Sequence, residues 1–259
     1  MTIPPILYKY RDYNNEYNKR TLFNFEIFLA SASMFNDPYE GSIPFVYNSE
    51  DLTKEKLFQK RKLIAKKLHP SWNEMQIDEF CNKAQEEDLI NDPEHIEKMR
   101  LLNIMEIDKT FGIFSLTPNH MNYLMWSHYA NCHKGFCIGF DTKALYDQID
   151  GSIGPVKYQV NIPKMDLFGN SFEFYIKQLS TKSKIWEYED EFRIVKANGS
   201  RKTIKYDKDI LKKIVLGCQM SQDDKNEIIN FVIAHQINCE ISELSLNNEE
   251  FILNEMKIY

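Results

Sequence analysis

The sequence predicts an α+β protein: a mixed, largely antiparallel sheet with flanking helices and an all-helical insertion. Three observations carry that class. Short aromatic and β-branched runs with strand character stand near both ends of the chain. Between about residues 51 and 108 the pattern changes to long polar helices with little glycine. No Gly-rich phosphate loop and no GxGxxG occurs, which speaks against a doubly wound dinucleotide fold. With 259 residues, 43% of them hydrophobic, the chain is long enough to bury a sizeable core. The expected organisation is a single α+β domain over 1–259 with the helical insertion at about 51–108.

"PILYKYR" opens as a short strand ending near Arg11, and the polar "DYNNEYN" after it has loop composition. "FEIFLASAS" is the next strand, and "MFNDPYEGSIP" is a turn, because Asn36 and Asp37 bond their own backbone and Pro38 fixes its dihedral. In the helical block, "DLTKEKLFQKRKLIAKKL" places Leu57, Leu63, Ile64 and Leu68 at helical spacing with lysines opposite. "NDPEHIEKMRLLNIMEID" has Asp92 as cap and Pro93 at the first helical position. "FGIFSLTP" is a strand and turn. "NHMNYLMWSHYANCHKG" is a helix ended by Gly135, and "FCIGFD" is a buried strand. "VKYQV" is a strand, "NSFEFYIKQLSTKSKIW" a helix, "KKIVLGCQM" an apolar strand, and "SQDDKNEIINFVIAHQ" a helix capped by Ser221. "CEISELSL" and "EEFILNEMKIY" close the chain as two strands.

Charge and cysteine usage narrow the function classes. A formal charge of -6 excludes coating of nucleic acid by bulk electrostatics and leaves only a local basic groove for such a partner. The lysine run with Arg61 reads as a solvated face. The start has no charged leader followed by a long apolar core, no run is long enough to span a membrane, and the five cysteines are odd in number and scattered. The expectation is a soluble, cytoplasmic protein with reduced thiols and no membrane partner. In "HYANCHKGFC", His128, Cys132, His133 and Cys137 match no common zinc spacing, so no metal is assigned.

"KIWEYEDEFRIV", residues 184–195, concentrates four carboxylates in five positions before Arg193. As a strand it places Glu187, Glu189, Glu191 and Arg193 on one face and Trp186, Tyr188, Phe192 and Ile194 on the other, while a helix leaves no apolar stripe. Asp190 falls on the apolar side. Neighbouring carboxylates on one face repel, which raises one pKa toward the range of a general acid or base. Such a face stabilises a cationic carbon, orients a nucleophilic hydroxyl or binds a divalent cation; the plain alternative is a glutamate-rich edge that keeps the strand soluble. With "LYKYR", "FNDPYEG" and "MWSHYANCHKGFCIGFD", this stretch supplies the candidate site. Tyr10, Arg11, Asn36, Asp37, Tyr129, His133, Lys134 and Arg193 are the binding candidates, with Glu40 beside them, and Glu189, Glu191 and His128 are the catalytic ones.

"YKYR", "FNDPYE", "FSLT", "MWSHYANCHKGFCIGFD" and "WEYEDEFR" resemble the successive signatures of a bacterial domain-of-unknown-function family, number 2971, from about Leu7 to Leu216. A second resemblance, in architecture, is to ADP-ribosyltransferase-like proteins. It implies that Arg11 holds NAD, that Ser31 or Ser33 supplies the second motif and that Glu189 or Glu191 is catalytic. The helix "MWSHYANCH" has no counterpart in that scheme. The expected function is therefore a carboxylate-dependent enzyme of ADP-ribosyltransferase or NAD-glycohydrolase type, in a toxin or phage-defence role, acting on NAD or another small-molecule or nucleotide substrate. Two alternatives stand beside it: a metal-dependent nuclease or phosphodiesterase using Asp37, Glu189 and Glu191, and a non-catalytic sensor or partner-binding module.

Overall fold

The computed structural model describes residues 2–44, 46–86, 92–169 and 171–259. In chain order the elements are β1 (Ile6–Arg11), α1 (Glu16–Phe23), β2 (Glu26–Phe28), β3 (Val46–Tyr47), α2 (Lys54–Leu68), α3 (Glu74–Glu86) and α4 (Pro93–Thr110). Then come β4 (Phe111–Leu116), α5 (Tyr123–Tyr129), β5 (Phe136–Asp141), α6 (Thr142–Ile149), β6 (Ser152–Pro155), β7 (Lys157–Gln159) and β8 (Lys164–Met165). The last part holds α7 (Ser171–Ser180), β9 (Thr181–Ser183), β10 (Phe192–Ala197), β11 (Thr203–Lys205), β12 (Leu211–Leu216), α8 (Gln222–Ala234), β13 (Glu240–Leu246) and β14 (Leu253–Lys257).

The fold is α+β with mostly antiparallel pairing, but the strands are shared among several sheets. A five-stranded sheet runs β1-β5-β12-β13-β14, and a three-stranded one runs β4-β10-β6. Within the first, only β12 and β13 are parallel, joined through α8. The two sheets meet where Tyr8 of β1 and Thr117 exchange backbone hydrogen bonds of 2.7 and 3.0 Å. The main core fills the space between them, with Leu7, Phe114, Phe136, Phe140, Ile194, Ile214 and Ile228 among its buried members. A second cluster around Tyr10, Trp126, Cys137 and Val215 packs α5 onto the opposite face of the five-stranded sheet.

Start and stop signals explain most of the helices. Asp92 caps α4 by accepting from Glu94 N–H at 3.0 Å, with Pro93 in the first turn, and Ser221 caps α8 by accepting from Asp224 N–H at 3.2 Å. The "DYNNEYN" segment, expected as a loop, instead starts α1: Asn15 accepts from the N–H groups of Tyr17 and Asn18. Gly135 does not end α5. The helix stops at Tyr129, and Asn131, Cys132 and His133 turn the chain with φ of 47°, 52° and 67°. Gly135 is needed because a Cβ there would lie 2.0 Å from the Arg11 carbonyl oxygen at the end of β1.

The apolar stripe expected on α2 does not face a core. Leu63, Ile64 and Leu68 are exposed, and α2 packs on α3 through Ala65, Ile77 and Cys81 with Phe58 and Trp72. The helix expected over 170–186 is described from Ser171 and ends at Ser180, the chain continuing as β9; Asn170 lies outside the described residues. No helix among the described residues is long and apolar enough to cross a membrane.

Candidate functional site

Strand β1 pairs with β5 along its whole length, from Ile6 opposite Asp141 to Arg11 opposite Phe136, and on its other side Tyr8 bridges to Thr117, just past the end of β4. Beyond that bridge a cavity of about 400 Å³ opens between β1 and β4, closed by α5, the turn after β2 and the chain around β9 and Glu191. Since Tyr8 turns its peptide groups away from β5, the antiparallel alternation turns those of Tyr10 the same way, toward the opening.

The "KIWEYEDEFRIV" stretch is not a continuous strand. Lys184–Glu189 winds into a 3-10 turn, Asp190 follows in the left-handed region at φ 44°, and β10 begins only at Phe192. Glu187 is exposed, so it leaves the carboxylate face that alternation assigned to it. Glu189, Glu191 and Arg193 are buried, which also rules out a solvated edge.

These three residues belong to a buried network. Lys182 Nζ donates to Glu189 Oε2 at 2.5 Å and to Glu191 Oε2 at 3.3 Å, and stands 3.8 Å from Glu40 Oε1. Arg193 clasps Glu191 with Nε to Oε1 at 2.7 Å and a terminal nitrogen to Oε2 at 2.9 Å, and it also bonds Glu40 and the Leu179 carbonyl. Tyr129 hydroxyl donates to Glu189 Oε1 at 2.6 Å. The charges counter the expected repulsion between carboxylates. Burial alone would raise the Glu191 carboxyl, but the Arg193 guanidinium and then Lys182 hold it down to about 2. Glu40 keeps the opposite sign: burial raises it despite Arg193. For Arg193 and Lys182, burial works against the charge, and the carboxylates outweigh it and raise both. Burial and then Glu189 raise the Tyr129 phenol, so it remains a donor.

The opposite wall is basic. Lys9 and Arg11 alternate onto one face of β1, with Lys9 Nζ 5.3 Å and Arg11 Cζ 5.9 Å from the centre of the Phe114 ring. Arg11 Nε donates to Thr21 Oγ1 at 3.0 Å. Among the described residues, neither Lys9 nor Arg11 forms an ion pair, and no side-chain hydrogen bond is made by Lys9 Nζ. Burial lowers Arg11 to about 10, which leaves it charged at neutral pH.

Of the residues singled out from the sequence, Tyr10, Arg11, Asn36, His128, Tyr129, Glu189 and Glu191 line this one cavity. His128 is an exposed rim residue whose ring lies 6.1 Å from that of Tyr188, and Asn36 Nδ2 approaches the Tyr129 hydroxyl at 3.4 Å. The other binding candidates stand elsewhere. Arg193 lies behind the wall, saturated by its partners. Ser33 binds Asp108 through its N–H at 2.9 Å, and its hydroxyl lies 3.2 Å from that of Ser31. Asp37 is buried as a turn residue, its Oδ1 accepting from Tyr39 N–H at 3.0 Å. His133 is buried against Ser127 at 3.0 Å, and Lys134 is exposed outside the cavity.

Sequence reading missed Lys9, Lys182 and Tyr158, whose hydroxyl accepts from Glu191 N–H at 2.8 Å. Lys9 carried a signal, since period two puts it on the Arg11 face of a strand that is otherwise apolar. Lys182 carried none, because its partners come from the distant "FNDPYE" turn and from a 3-10 turn that read as a strand.

The class defined here is an α+β fold with an open cavity that sets a paired carboxylate cluster against two cations, Lys9 and Arg11, that form no ion pair among the described residues. Residues 125–194, which include most of α5, Lys182 and both cavity glutamates, match the family model described as "Protein of unknown function (DUF2971)". No curated protein and no solved structure matches the chain.

Proposed function

We propose that the chain is an enzyme that cleaves the N-glycosidic bond of NAD, as a glycohydrolase or with transfer of the ADP-ribosyl group. The observation that carries this reading is the placement of Arg11, a charged guanidinium with no carboxylate partner among the described residues, in the same cavity as Glu189 and Glu191. A dinucleotide needs a cation for its diphosphate and a carboxylate for the ribose that becomes cationic. The cavity of about 400 Å³ is within the usual size of small-molecule sites.

In this reading Arg11 binds the diphosphate and Glu189 faces the ribose. Glu191 has both oxygens engaged by the Arg193 fork, whereas Glu189 shares its charge between Lys182 and the neutral Tyr129 hydroxyl. We therefore assign stabilisation of the oxocarbenium to Glu189 and a supporting field to Glu191. The nicotinamide nitrogen is cationic in NAD and leaves as a neutral ring, so no general acid is required. Water or an acceptor hydroxyl then attacks the ribose carbon, and its proton passes to Glu189.

Nicotinamide release from NAD by the purified chain tests the reading. Turnover by the wild type, with at least a hundredfold loss in Glu189→Gln, is expected; no release by the wild type with water, protein or nucleic acid supplied as acceptor sinks it. A sensor reading is favoured by one observation: both cavity carboxylates already have cationic partners. It predicts binding of NAD or ADP-ribose without turnover, unchanged in Glu189→Gln. The nuclease reading loses its ligand set, because Asp37 is outside the cavity and Lys182 and Arg193 occupy the Glu189 and Glu191 oxygens. No group of three or more His, Cys, Asp or Glu is arranged to hold a metal ion among the described residues.

A further inference from the structure

We propose that Lys9 is a reactive amine that condenses with the carbonyl of an anionic aldehyde or ketone held by Arg11, forming an imine. The cavity wall gives Lys9 what such a lysine needs. Its Nζ stands 5.3 Å from the centre of the Phe114 ring, the residue lines the cavity, and among the described residues no hydrogen bond or ion pair ties the amine down. The carboxylates that would neutralise it are taken by Lys182 and Arg193. Arg11, two positions along the same face, supplies both an anchor for the substrate's negative group and a neighbouring positive charge.

All the charged groups that face the amine act together. Burial and then Arg11 lower Lys9, Glu191 and Glu189 oppose the shift, Lys182 adds to it, and the result is about 7. Near neutral pH a substantial fraction of Lys9 is then the free amine, whereas an ordinary lysine is almost wholly protonated. His128 lines the same cavity and supplies a ring nitrogen that can hydrogen-bond the carbonyl oxygen.

In the step itself the amine lone pair attacks the carbonyl carbon and the oxygen takes up a proton. The C–O bond then breaks, and the oxygen leaves as water with the two hydrogens that the nitrogen loses. No electrons are exchanged with any third partner. The inference does not rest on NAD cleavage, since the two share Arg11 but use different reacting groups.

The test treats the full chain with pyridoxal 5′-phosphate, an aldehyde that carries a phosphate, in the presence of sodium cyanoborohydride, and reads intact mass and peptide map. One adduct per chain is expected, at Lys9, forming about tenfold faster near pH 7.5 than at any other lysine. Pyridoxal without the phosphate should react more slowly. Arg11→Gln should slow the labelling and move its pH midpoint upward. Lys9→Arg should remove the fast adduct, and the wild-type peptide map stands without it should that variant fail to fold. Labelling of Lys9 at the rate of the surface lysines, or a pH midpoint near the ordinary lysine value, overturns the proposal.

Discussion

Lys182 and Arg193 on one side of the cavity, and Lys9 and Arg11 on the other, are the same pair of residue types in opposite surroundings. The first pair is buried with Glu40, Glu189 and Glu191, every cation holding a carboxylate within hydrogen-bond distance. The second pair stands over Phe114 and, among the described residues, has no carboxylate partner. A buried ion network that saturates itself fixes the positions of its members, whereas cations at a cavity wall without a hydrogen-bonded carboxylate carry a desolvation cost that more distant charges offset only in part. The paired side is therefore built to hold geometry, and the unpaired side to meet a negative ligand.

The largest effect should come from breaking the paired side. Arg193→Met leaves Glu191 and Glu40 buried with one cation fewer and should cost about 3–5 kcal/mol, lowering the unfolding midpoint by on the order of 10 °C in calorimetry. The unpaired side should respond in ligand binding instead. Arg11→Gln should unfold close to the wild-type temperature yet bind NAD about tenfold to a hundredfold more weakly by titration calorimetry.

The two sides should also differ in the sign of their pH dependence. Glu191, held at about 2, contributes stability above the ordinary carboxylate value of 4.5, and loses it as pH falls toward 2. Lys9, lowered from 10.5 to about 7, keeps its proton in the unfolded chain but sheds it in the folded one between those values. Wild-type stability should therefore gain from this group as pH rises from about 7 to about 10.5. Lys9→Met should lack that gain and exceed the wild type most at or below pH 7, as read by denaturant unfolding at several pH values. The smallest change is expected at the rim: His128→Asn should alter stability by no more than about 0.5 kcal/mol in the same unfolding experiment.

Much of the architecture was legible because its signals are local. Strands β1, β4, β5 and β12, the Asp92–Pro93 start of α4 and the Ser221 cap of α8 all follow from neighbouring residues. The site was legible only as a set of segments. Alternation in "KIWEYEDEFRIV" suggested a strand, yet the left-handed turn at Asp190 interrupts it, so the period was right for Glu191 and Arg193 and wrong for Glu187. The lowered Glu191 carboxyl could not be read at all, because its sign depends on Lys182 and Arg193 outweighing burial. Asp37 was legible from its neighbours: the turn that its residue type favours is formed, and its side chain serves that turn.

The most direct test of the division between the two sides is a calorimetric titration of NAD into the wild type and Arg11→Gln, with thermal unfolding of both in the same buffer. Saturable binding by the wild type, weakened at least about tenfold in Arg11→Gln while the unfolding temperature holds, is the predicted result. Absence of binding to the wild type, or equal affinity in the two proteins, would contradict it.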